Sequence, residues 1–236
     1  MHFDMDHWKD FQVDYPESSV GAFSIEHFTI DEFDEKRLSI IHSDGVNRDP
    51  GCGEFRRLVE TSLGIGFDGA NREVWMSDTR AEILEHMPFI SKIPVINPER
   101  ILVNGLGLGL VVHAALKSPQ VRHIDVVEHN PQVIELVGPL LNGNGRVTVH
   151  HGDAYDMTWP DGTHWDMAWH DIWPTIDDEN LPGMKKLRSR YRKAVDWQGF
   201  WQMKGCLKMA KIIRQLTDKT LSYETAREIV SGKLEI

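Results

Sequence analysis

Apolar and polar positions change rhythm near residue 100 of the chain. Before it, "AFSIEHFTI" (22–30) and "KRLSIIHS" (36–43) alternate as strands on either side of the acidic turn "DEFDE", after a loosely ordered lead-in over residues 1–20. The stretch "DGVNRDPGCG" reads as a loop. In "EFRRLVETSL" (54–63) the spacing predicts a helix, and "NREVWMS" (71–77) a short strand. "DTRAEILEHM" then reads as a helix capped by Asp78 or Thr79 and ending ahead of Pro88. These elements make residues 1–95 a small α+β region, with "PVINPE" as the joint to the rest of the chain.

From Arg100 the order becomes strand, glycines, helix ("LGLVVHAALKS"), strand ("VRHIDVVEH"), helix ("PQVIELVGPLL"), strand ("RVTVHHG") and strand ("HWDMAWHD"). Strands alternating with helices at this spacing imply a parallel sheet with helical crossovers, whose ligands bind beyond the carboxyl ends of the strands. After Pro174 the pattern offers helix only: "NLPGMKKLRSRYRKAV", "QGFWQMKGCLKMAKIIRQLT" and "SYETAREIVSG", the last capped by Ser222. The expected fold is therefore α/β, with a Rossmann-like sheet over residues 96–196 that is truncated after its fourth strand and a helical extension over 197–236.

With 236 residues and 41% hydrophobic content, the chain can bury a sizeable core. A formal charge of -10, with no basic stripe interleaved with aromatics beside the strand ends, argues against a nucleic-acid partner. No stretch approaches the length of a membrane helix and the amino terminus carries no apolar signal core, so no membrane partner and a cytoplasmic location are expected. Cys52 and Cys206 are too few and too far apart for a disulfide framework or zinc knuckle. His150 and His151 are adjacent and point to opposite faces of a strand, so no metal is expected. Most of the clustered tryptophans from Trp159 to Trp201 belong to a core, with a few left to wall a ligand.

Candidate chemistry gathers at the strand ends. Gly105, Gly107 and Gly109 in "ILVNGLGLGLVV" let a strand turn into a helix, with turn amides that can face an anion or a polar ligand group. Leu110 stands where a dinucleotide fingerprint needs a small residue, and no lysine before serine or threonine completes a phosphate loop. Glu128 ends the second strand, where a carboxylate can accept from both ribose hydroxyls; a solvated strand-end acid is the plainer alternative. Asp153 in "VHHGDAYD" can accept from an adenine amino group or cap an Asx-type turn. Asp171 ends the fourth strand and can orient a substrate or act as base, or simply form the turn before Pro174. His170 is a lesser catalytic candidate, because alternation turns it to the opposite side.

On "ILVNGLGLG", "IDVVEHNPQVIELV", "RVTVHHGDAYD" and "WDMAWHDIWP", about residues 100–175, the chain resembles the class I S-adenosylmethionine-dependent methyltransferases, and within them the spermidine synthase-like branch. The resemblance implies S-adenosyl-L-methionine as cofactor, with Gly105, Gly107 and Gly109 passing its methionine part, Glu128 its ribose, Asp153 its adenine, and Asp171 facing the acceptor. "VWMSDTRAEILEHMP" resembles the segment that joins a small β-domain to the nucleotide domain in spermidine synthases and helps line the site, which implies Asp78 and Glu82 as acidic residues contacting the cofactor. Methyl transfer to a small-molecule acceptor is the implied reaction, and a homodimer is compatible with it. Aminopropyl transfer ranks second, because Pro174 stands where polyamine synthases carry a second aspartate and Leu106 and Leu108 replace their glycine-rich loop. A catalytically inactive methyltransferase-like interaction module is the non-enzyme alternative, distinguished by a plugged rather than open cavity at the strand ends.

Overall fold

The computed structural model describes residues 5–35, 49–63, 70–141, 145–218 and 221–231; the strand expected over 36–43 lies outside them. Four antiparallel strands open the fold: β1 (Ser18–Val20), β2 (Phe23–Ile30), β3 (Gly53–Leu63) and β4 (Ala70–Ser77), hydrogen-bonded in that order. The lead-in is ordered, contrary to expectation. A 3-10 turn over Met5–Phe11 and the following segment bury Trp8, Phe11, Val13 and Tyr15, so apolar burial fixes an acidic terminus whose sequence carries no regular pattern.

The segment 54–63 corrects a predicted helix to a central strand. Phe55, Leu58 and Val59 mimic the i, i+3, i+4 spacing of a helix, yet all three are buried because β3 has a strand on each side and apolar neighbours on both faces. Burial on both faces erases the two-residue alternation. A register shift against β4 at Leu58/Val59, where Trp75 has no opposite residue, adds to the irregularity. The next helix, α1 (Arg80–Ile90), runs through Pro88 rather than stopping before it. Pro88 falls in the last turn, where one lost backbone donor is offset by the complete burial of Phe89 and Ile90. A single turn, α2 (Ile93–Ile96), leads into the second sheet.

That sheet is parallel, with β5 (Arg100–Asn104), β6 (His123–Glu128), β7 (Val147–His151), β8 (Trp165–His170) and β9 (Val195–Phe200) in the spatial order β7-β6-β5-β8-β9. Helices α3 (Leu110–Leu116), α4 (Pro131–Leu141) and α5 (Asn180–Tyr191) cross between strands, and α6 (Met203–Thr217) and α7 (Tyr223–Val230) follow. This is a Rossmann-like doubly wound sheet whose order reverses between β5 and β8. The fifth strand overturns the expected truncation after the fourth. "VDWQGF" does alternate, but only over six residues between two helices, and β9 runs across the expected boundary at 196/197. Ser222 caps α7 as expected, its hydroxyl accepting from the Thr225 amide at 3.1 Å.

One face of the parallel sheet, through Ile101, Val103, Val126 and Trp169, shares a continuous core with Phe23, Ile25 and Leu58 of the antiparallel sheet and with Ile83 and Phe89 of α1. The other face packs Leu102, Trp165 and Ala168 against Met184, Leu187 and Tyr191 of α5. Among the polar groups inside, Asp125 accepts from Trp165 Nε1 at 2.8 Å and pairs with His150 at 2.9 Å. Burial raises its proton affinity, but these hydrogen bonds and the neighbouring His123 together hold it below the usual aspartate range. His150 thus serves the sheet.

Candidate active site

The register sets Asn104 level with Val127 and His170 near the carboxyl ends of their strands, with Glu128 and His151 paired one residue beyond. Beyond them opens a cavity of about 480 Å³, lined by the glycine turn after β5, the ends of β6, β7 and β8, and residues 73–76 of β4. The N-terminal sheet therefore supplies a wall of the site.

Gly105 and Gly107 line this cavity, whereas Gly109 is buried against Leu141 of α4. Gly105 has φ +97°, and a Cβ there would stand 1.8 Å from the carbonyl oxygen of Asp171. The close passage of two strand ends demands glycine here, independently of any ligand. Gly107, at φ +50°, has the thioether of Met76 against it, 2.7 Å from where a Cβ would lie. The turn amides are turned inward: Gly105 N–H donates to Val127 O, Leu106 N–H to Glu128 Oε2, Leu108 N–H to Met76 Sδ and Gly109 N–H to Leu106 O. Four of the turn's five amides are engaged by the protein itself in this structure.

Glu128 is nine-tenths buried at the cavity edge, with Oε2 held by Leu106 N–H at 2.8 Å and Oε1 by Asn130 N–H at 2.7 Å. A carboxylate oxygen carries two acceptor positions, so this clamp orients Glu128 and leaves each oxygen acceptor capacity. Asp153 lines the cavity too, and its Oδ1 accepts from Tyr155 N–H at 2.7 Å, which is the Asx-type turn foreseen as its structural role. Asp171 also lines the cavity, its side chain 15% exposed. Burial, reinforced by Glu85 and Glu128, pushes its carboxyl up to about 8.

Behind Asp171, α1 contributes His86 and Glu85, which the sequence pattern did not single out, and Glu82, which it did. His86 is completely buried, with Nδ1 3.8 Å from Asp171 Oδ2 and neither ring nitrogen hydrogen-bonded among the described residues. Burial drops its pKa to about 4. Glu85 accepts from Trp201 Nε1 at 3.1 Å. Glu82 lies one turn earlier, pushed up to about 8 by burial and then by Glu85 and Asp171; it backs Asp171 rather than lining the cavity. A lone histidine and the additional acid Glu85 within this helix carry no motif, so only the packing of α1 on the end of β8 reveals them.

Two expected site residues face elsewhere. Asp78 is fully buried beneath the N-terminal sheet, where its carboxylate accepts from Arg56 N–H at 2.6 Å and Val13 N–H at 3.3 Å; it is a structural clasp, and burial raises its pKa. His170 is also fully buried, on the far face of the sheet. Its Nδ1 lies 2.7 Å from Asn104 Nδ2 and its ring stacks on Phe200, while burial lowers its pKa to about 3. The catalytic expectation for His170 is therefore corrected to a packing role, as strand alternation had favoured. Aromatic walls come from Trp75, Tyr155 and Trp173.

No protein-family model matches the sequence, and no curated protein does. Among solved structures, a Staphylococcus aureus protein provisionally assigned as a caffeoyl-CoA O-methyltransferase overlaps 63% of this chain and 68% of its own, at 15% identity and a TM-score of 0.43. The N-methyltransferase NodS from Bradyrhizobium japonicum overlaps 48% of this chain and 63% of its own, at 10% identity and a TM-score of 0.37. The Podospora anserina methyltransferase PaMTH1, solved with S-adenosylhomocysteine, overlaps 48% of this chain and 47% of its own, at 16% identity and a TM-score of 0.36. The chain thus spans less than two thirds of the length of NodS and PaMTH1.

Proposed function

We propose that the protein is an S-adenosylmethionine-dependent methyltransferase acting on a small-molecule acceptor. The observation that carries this reading is the cavity at the switch point of the parallel sheet, with Glu128 and Asp153 at successive strand ends and Asp171 also lining it. Its volume suits a nucleoside cofactor. Four of its lining residues, Glu73, Glu128, Asp153 and Asp171, are acidic, and none is lysine or arginine among the described residues. Such a lining suits a sulfonium cation and opposes the pyrophosphate of a dinucleotide. When bound, S-adenosylmethionine supplies an electrophilic methyl group on positively charged sulfur.

The chain's own residues bind, orient and manage one proton. Glu128, fixed by two amides, accepts from the ribose hydroxyls, and Asp153 meets the adenine amino group. Trp75 and Trp173 flank the cavity and limit water. Asp171 takes the proton from the acceptor's nucleophilic atom, and a carboxyl titrating near 8 is a stronger base than an ordinary aspartate. Calorimetric titration with S-adenosylmethionine, S-adenosylhomocysteine and NAD tests the cofactor: the first two should bind and NAD should not. NAD binding alone would end the proposal.

A second reading, aminopropyl transfer to a polyamine, gains support from Glu85 beside Asp171, which adds negative charge where Pro174 supplies none. Incubation with decarboxylated S-adenosylmethionine and putrescine separates the two, and spermidine formation at an enzyme-like rate would reverse their order. The inactive-module reading is disfavoured by the open cavity, since Trp169, Leu106 and Leu108 are buried in the core and Trp173 stands at the wall.

A further inference from the structure

The glycine turn meets an unexpected neighbour. Met76, near the end of β4, lays its thioether over Gly107 and accepts the Leu108 N–H at 3.2 Å, within the cavity wall. Thioether sulfur is a weak acceptor, so that amide would go to a carboxylate if one could reach it. The neighbouring amides of Gly105, Leu106 and Gly109 are engaged by Val127, Glu128 and Leu106. A ligand tail ending in a carboxylate therefore meets a blocked donor and, from the walls, the negative charges of Glu73 and Glu128.

We propose that Met76 is a specificity-determining residue of this cavity: by filling the space over Gly107 and occupying the Leu108 amide, it makes the site prefer adenosine thioethers with a short uncharged tail over those ending in an amino acid. The inference rests on the adenosine-ligand reading above. Under it, the adenosine end supplies most of the cofactor's affinity, through Glu128 and Asp153, and the amino-acid end is tolerated rather than recognised. Met76 would then be the means by which the N-terminal sheet takes part in ligand choice.

The test is calorimetric titration of 5′-methylthioadenosine and S-adenosylhomocysteine into the wild-type protein, Met76→Ala and Met76→Leu, each checked for folding by circular dichroism. Wild type should bind methylthioadenosine about tenfold more tightly, as expected for a carboxylate denied one charge-assisted hydrogen bond. Met76→Ala should tighten S-adenosylhomocysteine about tenfold and leave methylthioadenosine nearly unchanged. Met76→Leu, which keeps the bulk but frees the Leu108 amide, should show a preference between those of wild type and Met76→Ala. Equal preference in wild type and Met76→Ala, or a wild-type preference for S-adenosylhomocysteine, would overturn the role of Met76 while leaving the adenosine site standing. If neither ligand binds any of the three folded proteins, the adenosine reading falls and the inference with it.

Discussion

Glu128 and Asp171 both line the cavity, but in different environments. Glu128 is clamped by two backbone amides, so it is a fixed acceptor suited to recognition. Replacing it with alanine should weaken S-adenosylmethionine binding by about 1.5–3 kcal/mol, the range for a charge-assisted hydrogen bond, and leave the circular dichroism spectrum unchanged. Among the described residues no amide clamps the Asp171 carboxyl; burial and Glu85 raise its pKa to about 8. If it is the base, turnover rises with pH and levels off above about 8, and Asp171→Asn lowers turnover with cofactor binding intact. Unchanged turnover in that variant would remove Asp171 from catalysis. The same shift has a stability sign: native Asp171 and Glu82 hold their protons more tightly than the unfolded chain does, so stability falls as pH rises from about 4 to about 8. Glu82→Gln should therefore raise the melting temperature relative to wild type at about pH 8, by an amount that shrinks toward zero near about pH 4. Thermal melts across that range measure it.

At the scale of elements, legibility followed how local the cause of each structure was. The strand–glycine–helix run from Arg100, Glu128 at the end of β6 and the cap at Ser222 were all visible, because each depends on residues within a few positions of one another. The segment 54–63 was not, because only the strands on both sides decide that Phe55, Leu58 and Val59 belong to a sheet. Strand β9 was hidden for a related reason: its six residues gain their pairing from β8, some 30 positions earlier in the chain. The site shows the same division. Strand-end acids could be read from order alone, whereas His86, Glu85 and Met76 join the site through contacts between distant elements. One long-range tether carries its own test. Arg227 of α7 bonds Asp177 at 2.7 Å and Glu179 at 3.0 Å, tying that helix to the segment just beyond the cavity wall at Asp171–Pro174. Arg227→Ala should cost no more than about 1 kcal/mol because the pair is partly exposed. It should nevertheless speed amide exchange over residues 175–179 and 223–230 together. Faster exchange in α7 alone would show that the tether does not steady the loop.

For the whole molecule, the expected division at residue 95 separates two sheets but not two cores. Phe23, Ile25 and Leu58 share one apolar cluster with Ile101, Val103 and Trp169. We accordingly predict one cooperative thermal transition in which calorimetric and van't Hoff enthalpies agree, and two resolved transitions would contradict it. That shared core also explains how β4 comes to wall a cavity built mainly by the parallel sheet, and why Asp78, read as a ligand contact, is spent joining Val13, Arg56 and the start of α1. The central claim is that this composite cavity binds the adenosine part of a sulfonium cofactor through Glu128. Its most direct test is calorimetric titration of S-adenosylmethionine into the wild-type protein and Glu128→Ala: the account predicts saturable one-to-one binding to the first that weakens at least about tenfold in the second, and it is contradicted if the wild type shows no heat of binding or if both proteins bind alike.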